Sequence, residues 1–540
     1  MTVTRREMMT LTALAGVAAA GAAALTVPWG APVAAGTPSQ LASKYFPKRF
    51  AATLPMQPVL MPTRTDVDEQ GPVNYYDVSQ VVANAKILPG GLLTPVLAYN
   101  GLVPGPRIDI DQGTRAVLRM RNRLTATHPV FGTPIATSTH LHGSASLPEY
   151  DGYASDITLP GQMKDYHYPN FQVARTLWYH DHGVHYTAQN AYSGLAAQYH
   201  LHDAQERSLL PQSEFDVALT ICDMMFQADG SQLYEDRSHS GLYGDVILVN
   251  GTPWPVMKVK RRVYRFRILN SSISRSYRPQ LSPSTPMHVV ATDGGLMPKT
   301  QSVSNFRIGS AERYEVLIDF SQFKAGQRIE MRNLSNPNNR DYDFTGQIMA
   351  FDVVDDPFTT DDPSALSIPG TLNPGNEVMA LTEKSGMIKR NIRVERDDVT
   401  NMWQLNEETW DDVVASDYTA TLGDPTVNST EVWEIENKSG GWFHPVHIHL
   451  IDFKILSRNG KAPFSYELGP KDVVYVGEGE KVRVLAKFGP HAGRYMVHCH
   501  NLVHEDHDMM HQFRVWPADG SSYDPHHPIL AAPPVPDDGA

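Results

Sequence analysis

Cys499 stands between His498 and His500 in the run RYMVHCHNLVHEDHDMMHQFRV, residues 494–515. The run alternates apolar and polar residues as a β-strand does, and neighbours on a strand point to opposite faces. His498 and His500 therefore face one way and Cys499 the other. A fold that accepts this segment must build something on both faces, so one strand can serve two metal sites.

The outer parts of the chain repeat the device. The motifs THLHG (His140, His142) and WYHDHG (His180, His182) lie towards the N-terminus. HPVHIHL (His444, His447, His449) and VHCHNLVH (His498, His500, His504) lie towards the C-terminus, while the middle of the chain has only the isolated His239 and His288. His-x-His on a strand puts both imidazoles on one face. Four such pairs at the seam of two domains offer more imidazoles than one metal can use, so a cluster of several metals is the economical reading. Imidazole alone suits copper, zinc, iron or nickel, and on the pairs alone zinc stays open.

Cys499 narrows the choice. With His444 upstream, His504 and then Met509 downstream, the chain offers two imidazoles, a thiolate and a weak axial thioether, which is the blue-copper arrangement. A structural zinc has no use for a thioether. In the N-terminal HDH motif Asp181 occupies the cysteine's place, so that part cannot build a second blue site. Electrons arriving at Cys499 then have a short covalent path to His498 and His500.

Strand-like alternation recurs in RAVLRM (115–120), in Tyr264/Phe266/Ile268 against Arg265/Arg267, in RYEVLIDF (313–320) and in KVRVLAKF (481–488). Turn signals punctuate these runs, and the pattern predicts an all-β chain of sandwich or barrel domains. The polar, proline-bearing stretches 203–216 and 355–377 read as linkers. They leave blocks at 36–204, 205–356 and 378–520, a linker at 357–377 and a Pro-rich appendage at 521–540. A net charge of −13 argues against nucleic acid and anionic membranes as partners. Arg5-Arg6 ahead of an alanine-rich run and small residues near Ala34 has the form of a twin-arginine export signal over residues 1–35. An uncleaved anchor is the alternative, although the run is short and weakly hydrophobic for a span. Of the two cysteines, Cys222 lies in an apolar run and is expected to be a buried core thiol.

The motifs HLHG, WYHDHG, HPVHIHL and HCHNLVHEDHDMM resemble those of the multicopper oxidases, in the family's order and across the mature chain. GWFHPVHIHLIDF, with Trp442, and HCHNLVHEDHDMM are most similar to bilirubin oxidases and bacterial laccases. The resemblance implies three cupredoxin-like Greek-key β-barrel domains and four copper ions. By position, the type 1 copper takes His444, Cys499, His504 and Met509, and the type 2 copper takes His140 and His447. The paired type 3 coppers take His142, His180, His182, His449, His498 and His500. Glu505 and Asp151 match acids that the family uses to deliver protons or hold solvent at the cluster. Asp506 and Asp508 are expected to be solvated or hydrogen-bonding structural groups, and His185, His507 and His511 to be supporting or surface residues rather than ligands.

The implied reaction is one-electron oxidation of phenols, aromatic amines or bilirubin-like tetrapyrroles coupled to four-electron reduction of O₂. The implied protein is an exported bacterial monomer, periplasmic, cell-surface or extracellular, with no membrane span in its mature chain. A cuprous or manganous metallo-oxidase is the rival enzyme, though the 20 methionines are scattered, with adjacent pairs only at 8–9, 224–225 and 509–510. A non-catalytic copper-binding surface protein is the rival from another class.

Overall fold

The computed structural model describes residues 38–355, 367–520 and 532–539. Strands make up 43% and helix 8%, in line with the all-β expectation. Each block has a parallel strand pair in its first sheet. Gly71–Ala85 pairs with Arg115–Asn122, Asp216–Met224 with Val263–Asn270, and Lys389–Arg396 with Thr430–Asn437. Parallel neighbours cannot be joined by a tight hairpin, so the crossover runs through a strand of the second sheet in the first two blocks and past the helix Trp410–Ala415 in the third. The result is a cupredoxin-like barrel, three times over.

The second sheets of the outer blocks carry the histidines. In the first block the order is Ile108–Asp111, Ala196–His202, Arg175–Asp181, Thr139–His142. In the third it is Val473–Val476, His444–Ile448, Gly493–Cys499, Met510–Val515. Register sets His140 directly opposite His180, and His447 opposite His498.

The strand Val263–Asn270 shows why alternation alone does not settle burial. All eight of its residues are buried. Its apolar face joins the core of the middle block, while Arg265 and Arg267 meet Glu206, Asp216 and Glu315. Buried guanidinium groups need such partners. That need reshapes the stretch 203–216, expected to be a plain linker. It forms the helix Ala204–Leu209, capped by Asp203, whose carboxylate accepts the Glu206 N–H at 2.7 Å.

Two ends of the chain pack outside their expected blocks. Residues 38–54 lie on the middle block, where Ser39 donates to Asp245 and Leu54 enters the core. Residues 532–539, expected as part of the appendage, run along the first block. Val535 and Pro536 pair with Met163 and Gln162 at the sheet edge, and Asp537 meets Arg121 and Arg123. The rest of that appendage at 521–531, residues 357–366 of the linker and the expected leader lie outside the described residues. Among the described residues no helix is long and apolar enough to cross a membrane.

Candidate metal centre

On one face of the strand Gly493–Cys499, the Cys499 thiol meets two imidazoles. His444 Nδ1 is 3.3 Å and His504 Nδ1 3.7 Å from Cys499 Sγ, and the two nitrogens are 3.2 Å apart. Outer contacts hold both rings. His444 Nε2 lies 2.8 Å from Ser439 Oγ, and the Asn501 amide meets His504 Nε2 at 3.0 Å. The Asn501 N–H also donates to Cys499 Sγ at 3.4 Å. Met509 is buried in the same apolar cluster as Cys499, and its carbonyl accepts the Cys499 N–H at 3.1 Å. Met510 points away from that cluster into another, with Met496, Trp410 and Tyr153.

On the opposite face, at the seam of the first and third blocks, eight imidazoles converge in three groups, the first two sharing His142. These are His140, His142 and His447; His142, His180 and His500; and His182, His449 and His498. Nε2 of His498 is 3.1 Å from Nε2 of His182 and 3.2 Å from Nε2 of His449.

Most of these rings have one nitrogen held from outside. The carbonyls of Asp151, Asp181 and Asp472 meet Nδ1 of His140, His180 and His447, the last two at 2.7 and 2.8 Å. The Asp151 carboxylate is 2.7 Å from His449 Nδ1, and the Glu505 carboxylate 2.7 Å from His498 Nδ1. Glu505 also lies 3.7 Å from His182 Nδ1. His142 is turned the other way, with Nε2 3.1 Å from Asp472 Oδ1.

The opposite nitrogens are left over. Nε2 of His140, His180 and His447, Nδ1 of His142 and both nitrogens of His500 are buried without a hydrogen-bond partner. Such groups cost about 1–3 kcal/mol each when unsatisfied. Burial, reinforced by the neighbouring imidazoles, pushes His140, His142, His447, His449 and His500 well below the usual histidine range. Burial likewise brings His182 to about 4 and His444 to about 3. Neutral rings with converging lone pairs fit first-row metal ions, which sit about 2.0 Å from imidazole nitrogen. The thiol site adds the soft sulfur that suits copper.

The two acids differ. Burial pushes the Asp151 carboxyl well above the usual range. Burial acts in the same direction on Glu505, but the His498 and His182 rings outweigh it and bring the carboxyl down to about 2.

All ten histidines singled out in the sequence, with Cys499, fall into these groups, and Met509 lies beside Cys499. His185 meets the Asp506 carbonyl, His507 stacks on His239 at 3.6 Å, and His511 meets Glu408. The Asp506 carboxylate accepts the N–H groups of Thr187 and Ala188, so it is structural as expected. Cys222, expected in the core, is only half-buried at its edge. Sequence reasoning missed Asp472, Asn501, Ser439 and Trp403. The Trp403 ring lies 3.9 Å from His504 and 5.2 Å from Trp442, and Arg396 sits over both tryptophans. Trp442 and Arg396 are half-buried at the surface beside the thiol site. Asn501 and Ser439 are near neighbours in sequence of the histidines they touch, whereas Asp472 and Trp403 reach the site only through tertiary packing.

Three family models described as multicopper oxidase match the chain at residues 81–206, 215–341 and 389–519. A bilirubin oxidase of Albifimbria verrucaria is 39% identical over 487 residues, covering 86% of this chain and 81% of that protein. A laccase of Bacillus subtilis is 31% identical over 520 residues, covering 86% of this chain and 98% of that protein. Among solved structures, the McoA multicopper oxidase of Aquifex aeolicus is similar with a TM-score of 0.75. It is 26% identical over 87% of this chain and 100% of that one.

Proposed function

The chain belongs to the multicopper oxidase family, and from that premise we propose that it couples one-electron oxidation of phenols, aromatic amines or bilirubin-like tetrapyrroles to four-electron reduction of O₂ to water. His444, Cys499 and His504 would hold a type 1 copper, with Met509 packed beside them. His140 and His447 hold a type 2 copper. One type 3 copper takes His142, His180 and His500, and the other takes His182, His449 and His498. Bound copper supplies electron entry at the thiol site and O₂ chemistry at the seam.

One observation carries this reading. Cys499 faces His444 and His504, while its covalent neighbours His498 and His500 belong to the seam groups. Two redox sites are thereby joined by a few backbone bonds, which serves an enzyme that gathers electrons at one site and spends them at another. Glu505 and Asp151 lie on the seam side, against His498 and His449, where O₂ reduction consumes protons. The half-buried Trp442 and Arg396 offer an aromatic and cationic landing surface for an electron-rich reductant, with Trp403 between them and His504.

The leader lies outside the described residues, and its Arg5-Arg6 form supports export of the already folded protein. The reading is tested by O₂ uptake of the copper-loaded protein with a methoxyphenol, with bilirubin and with Cu(I). Uptake with the organic reductants, four electrons per O₂ and an intense blue band lost in C499S are expected. Uptake with Cu(I) alone would move the assignment to a metallo-oxidase, and no uptake at all would refute it.

A further inference from the structure

The strand Ala196–His202 carries a fifth His-x-His pair, His200 and His202, in QYHLHD. Both residues are buried. Their strand runs parallel to Ile108–Asp111, with Asp109 opposite His200 and Asp111 opposite His202. On its other side His200 pairs with Thr176. Thr176 is four residues from His180, or about 13 Å along the strand. The pair is therefore remote from the seam cluster.

Each ring is held at one nitrogen by an oxygen acceptor. His200 Nε2 lies 2.7 Å from Gln198 Oε1. That amide is oriented by its own Nε2, which donates to Thr220 Oγ1 at 3.1 Å and the Arg267 carbonyl at 3.3 Å. His200 thus carries its hydrogen on Nε2 and its lone pair on Nδ1, only 3.5 Å from Asp109 Oδ1. A lone pair facing a carboxylate asks for a cation between them. His202 Nδ1 lies 3.2 Å from the buried Glu206 carboxylate, which leaves a lone pair on Nε2. Imidazoles anchored through the far nitrogen by an amide or carboxylate oxygen are the usual outer support of a metal site.

One ring nitrogen of each histidine and one oxygen of Asp109 lie within 4.8 Å of one another. Arg107 takes both Asp109 oxygens at 2.7 Å, and a carboxylate oxygen has a further lone pair to give. Arg207 at the rim is matched by Asp111. Arg107, Asp109, His200, His202 and Arg207 line a cavity of about 170 Å³.

We propose that Asp109, His200 and His202 form a further site for a divalent first-row transition ion, with Cu(II) preferred to Zn(II). Two imidazoles and one carboxylate are ligands for such ions, and affinity at an N/O site peaks at copper in the divalent series.

The test uses the tag-free, copper-loaded, desalted protein, titrated with Zn(II) and separately with Cu(II). Wild type should take up one equivalent more than the H200A/H202A variant, and the extra Cu(II) should add its own paramagnetic resonance signal. The readout is a difference between two proteins, so it does not depend on how many coppers the central cluster holds. Turnover of a methoxyphenol should be the same in both. Equal metal uptake overturns the proposal. If H200A/H202A does not fold, D109N at the half-buried rim replaces it, with loss of the extra equivalent expected and unchanged uptake overturning the site.

Discussion

Arg313 of the middle block grips Asp472 of the third through both carboxylate oxygens, at 2.7 and 2.5 Å. Asp472 in turn meets His142 of the first block at 3.1 Å and accepts from His447 through its carbonyl. The middle block has no histidine pair, yet through this contact it takes part in orienting two imidazoles at the seam. Asp472→Asn keeps the shape and removes the charge. Buried Arg313 would keep only the more distant Asp293 carboxylate, at 3.7 Å, and the loss should cost up to about 3–5 kcal/mol of stability. Loss of an outer support should weaken metal binding at the seam by about 10–100-fold. The blue band should persist, since Cys499, His444 and His504 do not touch Asp472. Copper content and the paramagnetic signal of the seam, set against the visible spectrum, check this, and full copper content with normal turnover would exclude the role.

Glu505 contacts His498 and His182, both on the seam side, although it follows His504 in the chain. Glu505→Gln should therefore leave anaerobic reduction of the blue band by substrate near its normal rate. Reoxidation by O₂ should slow by roughly 10²-fold, the size of a general acid–base contribution. Stopped-flow measurement of the two half-reactions decides the matter: slowed reduction with unchanged reoxidation would refute a proton-relay role.

Met509 shares the apolar cluster of Cys499, while Met510 is packed in another. Met509→Leu should keep a blue site and raise its potential, since loss of a weak axial donor favours Cu(I), and Met509→Gln should lower it. A shift on the order of 59 mV corresponds to a tenfold change for one electron. Spectroelectrochemical titration of both variants, with Met510→Leu as the control, reads the effect. No shift in either Met509 variant removes it as the axial neighbour.

Arg396 lies over Trp403 and Trp442 and has no carboxylate partner among the described residues. It should favour anionic reductants such as a dicarboxylate tetrapyrrole. Arg396→Gln is expected to raise KM for bilirubin by about two- to fivefold, the yield of an exposed ion pair worth up to ~1 kcal/mol. KM for an uncharged phenol should hardly change. Equal effects on both substrates would assign Arg396 a packing role instead.

The segment 532–539 covers the outer edge of Gln162–Tyr168 and brings Asp537 to Arg121 and Arg123. Truncation after Gly520 should lower Tm and, by opening a strand edge, promote self-association. The blue spectrum should survive, because the described part of the tail, residues 532–539, docks on Gln162–Tyr168, Arg121 and Arg123 and not on the histidine strands. Calorimetry with light scattering measures both effects, and an unchanged Tm would mean that the docked tail adds nothing to stability.

The candidate ligands were legible in the chain because their pattern is local. His-x-His is a period-two pattern, and a strand converts that spacing into a shared face whatever surrounds it. The same rule put Cys499 on the other face from His498 and His500, and the fifth pair at His200 and His202 could have been read in the same way. The parts that went unread answer to distance in the chain. Asp472 reaches His142 across 330 residues of sequence, and Arg313 reaches Asp472 across 159.

The sequence by itself determined an all-β chain, two histidine-bearing outer blocks and a thiol flanked by imidazoles. Only the tertiary structure decided which nitrogen of each ring faces the seam, since that depends on the outer acceptor that each ring meets. It also decided that Arg265 and Arg267 are buried with Glu206, that the tail docks on the first block, and that Trp403 stands between Trp442 and His504. Periodicity fixes the direction of a side chain relative to its own strand. What waits in that direction is set by how the blocks pack, where each buried charge must find its partner.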